Sequence, residues 1–92
     1  MSSGMDLGIE NETALILGGT QGLALACAEA LVQAGVRVVI NGRNADTGNA
    51  AAAALGDNAR FIQGDISDPA DRARIFQDAA AVWGAPSILV NN

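Results

Sequence analysis

The sequence predicts an α/β fold in which a parallel sheet is covered by helices on both faces. Three observations predict it. Short apolar runs without polar alternation, typical of strands buried on both faces, recur between longer stretches rich in alanine and leucine. Glycines and capping residues punctuate those stretches at their ends. Hydrophobic residues make up 50% of the chain and aromatics only 3%, so Ala, Leu, Ile and Val must build the core. That composition suits thin α/β layers better than an aromatic-centred sandwich.

The elements follow in regular alternation. Residues 1–12 read as an N-terminal extension and residues 13–92 as one domain. Thr13 to Leu17 is a doubly buried strand. Leu23 to Ala34 is a helix apolar on nearly every side, closed by Gly35 at the C′ position. Val36 to Asn41, "VRVVIN", is a second β-branched strand, and Ala45 to Leu55 is an alanine-rich helix stopped by Gly56. Arg60 to Gln63 forms a third, shorter strand. Asp68-Pro69 starts a helix, with a side-chain acceptor at the cap and proline in the first turn; it runs to about Trp83 and ends at Gly84. Ser87 to Asn91 completes the series as a fourth apolar strand. The order βαβαβαβ with short loops predicts parallel pairing, right-handed crossovers and strand order 3-2-1-4.

Composition also excludes function classes. Ten acidic residues against five arginines give a formal charge of −5 with no run of like charge, which argues against nucleic-acid and anionic-membrane surfaces. No segment reaches the roughly 18 unbroken apolar residues of a membrane span, and the N-terminus lacks the order of a secretory signal. A lone Cys27 among apolar neighbours reads as a buried, inert thiol in a reducing compartment. The expectation is a cytoplasmic protein. The chain contains no His, Lys or Tyr, so of the usual proton-transfer side chains only carboxylates remain. These are scattered through caps and loops, and none of the clusters that ligate metals is present.

Between the first strand and first helix stand Gly18, Gly22 and Ala24, each with a mechanical reason to be small. Gly18 lets the chain leave the strand in a tight turn, Gly22 lets backbone N–H groups approach a pyrophosphate, and Ala24 lets the helix pack close to the sheet. The helix N-terminus adds unpaired donors and the positive end of its dipole. Tight βα turns also use glycine for steric reasons alone. The position at the first βα turn of an alternating unit is the context that a dinucleotide cradle requires.

The stretches "ALILGGTQGLA", "VVINGRN", "GDISDP" and "ILVNN" resemble, in order and spacing, the landmarks of the short-chain dehydrogenase/reductase family, in the manner of its 3-oxoacyl-carrier-protein reductases. The resemblance covers nearly the whole chain and implies a partial Rossmann-like fold. Two positions depart from the family's TGxxxGxG pattern: Leu17 replaces the threonine and Ala24 the last glycine. The loop is then slightly less open but still fits a cofactor.

The resemblance carries the site residues. It implies that Thr20 and Gln21 meet phosphate, that Leu23 lies beneath the diphosphate and that Asn92 sits beside the nicotinamide ribose. Asp65 would accept a bond from the adenine amino group while the Ile66 backbone frames the ring. Asp65 also has a plainer reading, as a loop turn ahead of the Asp68-Pro69 helix start. Asn92 likewise reads as a strand-end residue tying the sheet together. At the end of strand two, NAD sites generally place a carboxylate against the ribose 2′-hydroxyl. Gly42 stands at the corresponding position and Arg43 follows, a residue suited to grip a 2′-phosphate and stack on adenine. The expected cofactor is therefore NADP rather than NAD; the alternative is that Arg43 is a solvated loop residue.

By the same resemblance, catalysis is hydride transfer assisted by a tyrosine, a lysine and a serine placed after the fourth strand. No residue here is assigned that work, and the sequence reads as the nucleotide-binding half of an oxidoreductase acting on a carbonyl or secondary alcohol. The other reading is a nucleotide-binding module or fragment without activity of its own. The parent is expected to be a homo-oligomer assembled largely through later helices. An apolar strand four at the sheet edge is expected to be a site of self-association.

Overall fold

The computed structural model describes residues 12–18, 20 and 22–91. Four strands and three helices alternate: β1 Thr13–Leu17, α1 Gly22–Gln33, β2 Arg37–Gly42, α2 Ala45–Leu55, β3 Ala59–Gln63, α3 Pro69–Trp83 and β4 Ile88–Asn91. All strand pairs are parallel and the sheet order is β3-β2-β1-β4. Architecture and strand order are those expected from the sequence, with boundaries moved by a residue or two. β2 extends to include Gly42, so the residue expected just beyond the strand is its last member. Of the extension expected over residues 1–12, all but Glu12 lies outside the described residues.

Side chains divide between the sheet's two faces by the two-residue period of the strands. Ala14, Ile16, Val38 and Ile40 face α1 and α2, packing with Ala24, Ala28 and Ala51. Leu15, Leu17 and Val39 face α3, packing with Ile75 and Ala79. Ala24 is buried, as close packing of the helix against the sheet requires. α1 is apolar on nearly every side, as the sequence shows, yet only Ala24 and Ala28 are buried, and Leu23 is 87% exposed. One sheet covers only one stripe of a helix, whatever the helix's composition. Cys27, on the flank of that stripe, is half-buried rather than buried.

Local chemistry stops and starts the helices as the sequence indicates. Gly35 at φ 89° closes α1 with paired bonds, Gly35 N–H to the Val32 carbonyl and Val36 N–H to that of Leu31, which is the Schellman arrangement. Asn44 caps α2 by accepting from the Thr47 N–H at 3.0 Å. Asp68 caps α3 by accepting from the Ala70 N–H at 3.0 Å, with Pro69 in the first turn. At the far end of α3 the Arg60 and Arg37 guanidiniums lie 5.1 and 6.0 Å from the Trp83 ring centroid, where cation–π attraction and the helix dipole both favour positive charge. β4 forms one edge of the sheet, with Leu89 57% exposed.

Candidate functional site

The carboxyl ends of β1, β2 and β3 open into a single groove of about 530 Å³. Open parallel sheets bind ligands at this end, and the volume lies within the range of roughly 300–1,000 Å³ common to small-molecule sites. Gly18 and Thr20 line it from the β1 turn, Asn41, Gly42 and Arg43 from β2, Asn44 and Thr47 from the start of α2, and Gly64 to Ser67 from the loop after β3.

The turn after β1 depends on glycine for its backbone. Gly18 has φ 72° and Gly22 φ 63°, a left-handed region that other residues enter at a cost. A Cβ built on Gly22 would meet no atom within 4 Å, so the space in front of it is open. Gly22 and Leu23 form the first turn of α1 and do not line the groove itself. The groove thus brings together Gly18, Thr20, Arg43, Asp65 and Ile66 of the sequence-derived set. Gln21 and Asn92 lie outside the described residues.

Arg43 is held by its backbone while its side chain is exposed. The Gln63 side chain donates to the Arg43 carbonyl at 3.1 Å, and Gly64 N–H donates to the Gly42 carbonyl at 3.0 Å. Among the described residues the Arg43 guanidinium makes no salt bridge, the two ion pairs both belonging to Arg74. The root is fixed, and the guanidinium lines the groove without a salt bridge, near enough to Asp65 to lower that carboxyl's pKa.

Asp65 is organised by its neighbours. Its Oδ1 accepts from the Ser67 hydroxyl at 2.6 Å and the Ser67 N–H at 3.0 Å, while Oδ2 takes no donor among the described residues. Its own N–H donates to Asp71 Oδ2 at 2.9 Å, so the first turn of α3 reaches back and holds the loop. The loop-turn reading of Asp65 is therefore realised, and it leaves one carboxylate oxygen for a ligand. The Ser67 hydroxyl and N–H hold this carboxyl below the usual aspartate value, outweighing an opposing desolvation, and Arg43 adds a lesser lowering. A carboxyl with a depressed folded pKa contributes stability that is present above its unfolded pKa and lost as pH falls through the folded value. Ser67→Ala is expected to raise the Asp65 pKa in an NMR titration. The stability gap between the two proteins should be full at neutral pH and close in acid; a gap that widens toward low pH would contradict this account.

Sequence reasoning passed over Asn41. It is 1% exposed, and its Nδ2 donates to the carbonyls of Ile62 and Gly64 at 3.1 Å each, locking the end of β2 to the end of β3 directly beneath the groove. The available signal was a polar residue ending an otherwise apolar strand, since a buried amide must find partners.

The sequence profile of the short chain dehydrogenase family matches residues 12–92. Among similar proteins, the NADP-dependent (R)-specific alcohol dehydrogenase of Lentilactobacillus kefiri is 40% identical over 86 residues, which are 91% of this chain and 34% of that protein. A sorbitol dehydrogenase of Cereibacter sphaeroides is 39% identical over 84 residues, 91% of this chain and 33% of its own length. The crystal structure of L-sorbose reductase from Gluconobacter frateurii, complexed with NADPH and L-sorbose, superposes with a TM-score of 0.90 at 30% identity, over 95% of this chain and 35% of that one. The chain spans about a third of the length of the curated relatives it matches.

Proposed function

The chain belongs to the short-chain dehydrogenase family, and from that premise we propose that it is the NADP(H)-binding portion of an oxidoreductase interconverting a carbonyl and a secondary alcohol. The observation that carries the reading is the end of β2. There a glycine stands where an NAD site would place a carboxylate, and Arg43, which makes no salt bridge among the described residues, follows it at the mouth of the groove. The residues fit the cofactor: two left-handed glycines shape the turn, Gly22 leaves open space, and the groove has room for a nucleotide.

In this reading the turn from Gly18 to Leu23, including Thr20 and Gln21, holds the diphosphate against the N-terminus of α1. Arg43 grips the 2′-phosphate, Asp65 and Ile66 frame the adenine, and Asn92 stands by the nicotinamide ribose. The bound nicotinamide supplies the hydride. The relatives act on alcohols and a sugar, by their names, which supports the reaction class and leaves the substrate open. With no Tyr, Lys or His in the 92 residues, the polypeptide by itself supports a second reading, a module that binds cofactor without turnover.

Arg43→Ala tests the central assignment. It is expected to weaken NADP binding about tenfold, the scale of one exposed charge-assisted bond, and to leave NAD within about twofold. The loss should shrink at high salt. A calorimetric titration in which the NADP/NAD ratio does not move would return Arg43 to the role of a solvated loop residue.

A further inference from the structure

Thr20 and Gly42 face each other across the groove, and the space between them is already occupied. A Cβ on residue 42 would stand 2.8 Å from Thr20 Cγ2 and 3.2 Å from Thr20 Oγ1, with the Phe61 ring 3.6 Å away. The backbone does not require glycine here. Gly42 is a buried strand residue and is not among the glycines with positive φ. Its smallness answers to Thr20.

Rotation of Thr20 does not remove the conflict. Side chains occupy three staggered positions about Cα–Cβ, and threonine fills two of them with heavy atoms in every rotamer. The place where a Cβ on residue 42 would lie touches two of those positions. At least one γ atom therefore remains against it whichever rotamer is chosen. Serine, with a single γ atom, can turn it into the third position and free the space.

We propose that Thr20 is a specificity-determining residue of the groove. Its two γ atoms stand 2.8 and 3.2 Å from the point at which any side chain on residue 42 would start, so a carboxylate at that position is disfavoured sterically and the region beside Arg43 stays open to a 2′-phosphate. This rests on the NADP reading above and adds to it. Discrimination belongs to a pair of residues, one in the turn after β1 and one at the end of β2, and a single Gly42→Asp exchange does not build a working NAD site.

The test compares the chain with Gly42→Asp and with Gly42→Asp/Thr20→Ser, titrating NADP and NAD by calorimetry. Gly42→Asp is expected to lose at least about tenfold in NADP affinity by charge repulsion, with NAD affinity gaining no more than about twofold because the new side chain is overpacked. Adding Thr20→Ser should raise NAD affinity about tenfold while NADP stays weak. Thermal melts give a readout independent of cofactor: Gly42→Ala should lower Tm, and Thr20→Ser in that background should recover most of the loss. Equal NAD affinity with and without Thr20→Ser overturns the proposal, as does a Gly42→Ala melt that Thr20→Ser does not change. A wild-type chain that binds NAD as well as NADP overturns the cofactor reading itself, whatever the melts show.

Discussion

Gly22→Val is expected to abolish measurable NADP binding, a loss of at least about a hundredfold. Two causes act together. Residue 22 holds φ at 63°, where a β-branched side chain is strained by about 1–3 kcal/mol. The added isopropyl group would also project into space that is now open, within 4 Å of which the glycine's Cβ would meet nothing. If that space is where the diphosphate settles, the side chain displaces it. A control separates backbone strain from lost binding: Gly56 also has positive φ, at 97°, and open space around it, but it closes α2 away from the groove. Gly56→Val should lower Tm and leave NADP affinity intact, whereas Gly22→Val should lower both. Calorimetry showing equal affinity in Gly22→Val and the unaltered chain would remove the cradle.

The second large effect is on stability, and it reverses what helix propensity alone predicts. Gly48 lies inside α2, where replacing glycine by alanine should stabilise a helix by about 1 kcal/mol. Here a Cβ would overlap Cε1, Cζ and Cδ1 of the Phe61 ring, which packs against the α1/α2 face of the sheet. Overlap along the whole ring edge forces the ring or the helix to move, and the cost of such overpacking, about 1–3 kcal/mol, exceeds the propensity gain. Gly48→Ala is expected to destabilise by about 1–2 kcal/mol net. At this chain length that is a fall in Tm of roughly 5–15 °C. Phe61→Leu, which removes the ring, should recover part of the loss in the double variant. A Gly48→Ala melt at or above that of the unaltered chain would show that α2 can shift freely and that Gly48 is not set by Phe61.

The two glycines differ in how far the sequence reveals them. The left-handed turn at Gly22 was readable because it belongs to a local pattern, a strand followed by small residues and a helix. Gly48 carried no local message: within "ADTGNAAAAAL" it is only a weak helix former. Its reason is a ring on β3 that arrives from 13 residues further along.

The sequence by itself determined the order of elements, the parallel sheet with order 3-2-1-4, the caps at Asp68, Gly35, Gly56 and Gly84, and the end of the sheet at which the groove opens. These depend on forces between residues a few positions apart, on strand and helix periods and on the rule that crossovers connect parallel strands. Only the tertiary structure decided which side chains meet at that end: Thr20 against Gly42, Asn41 bridging Ile62 and Gly64, and Asp71 holding Asp65. Most of these partners lie some twenty residues apart, and Asp71 reaches back past its own helix cap. Close packing sets such contacts to a few tenths of an ångström, a precision that strand and helix periodicity do not carry.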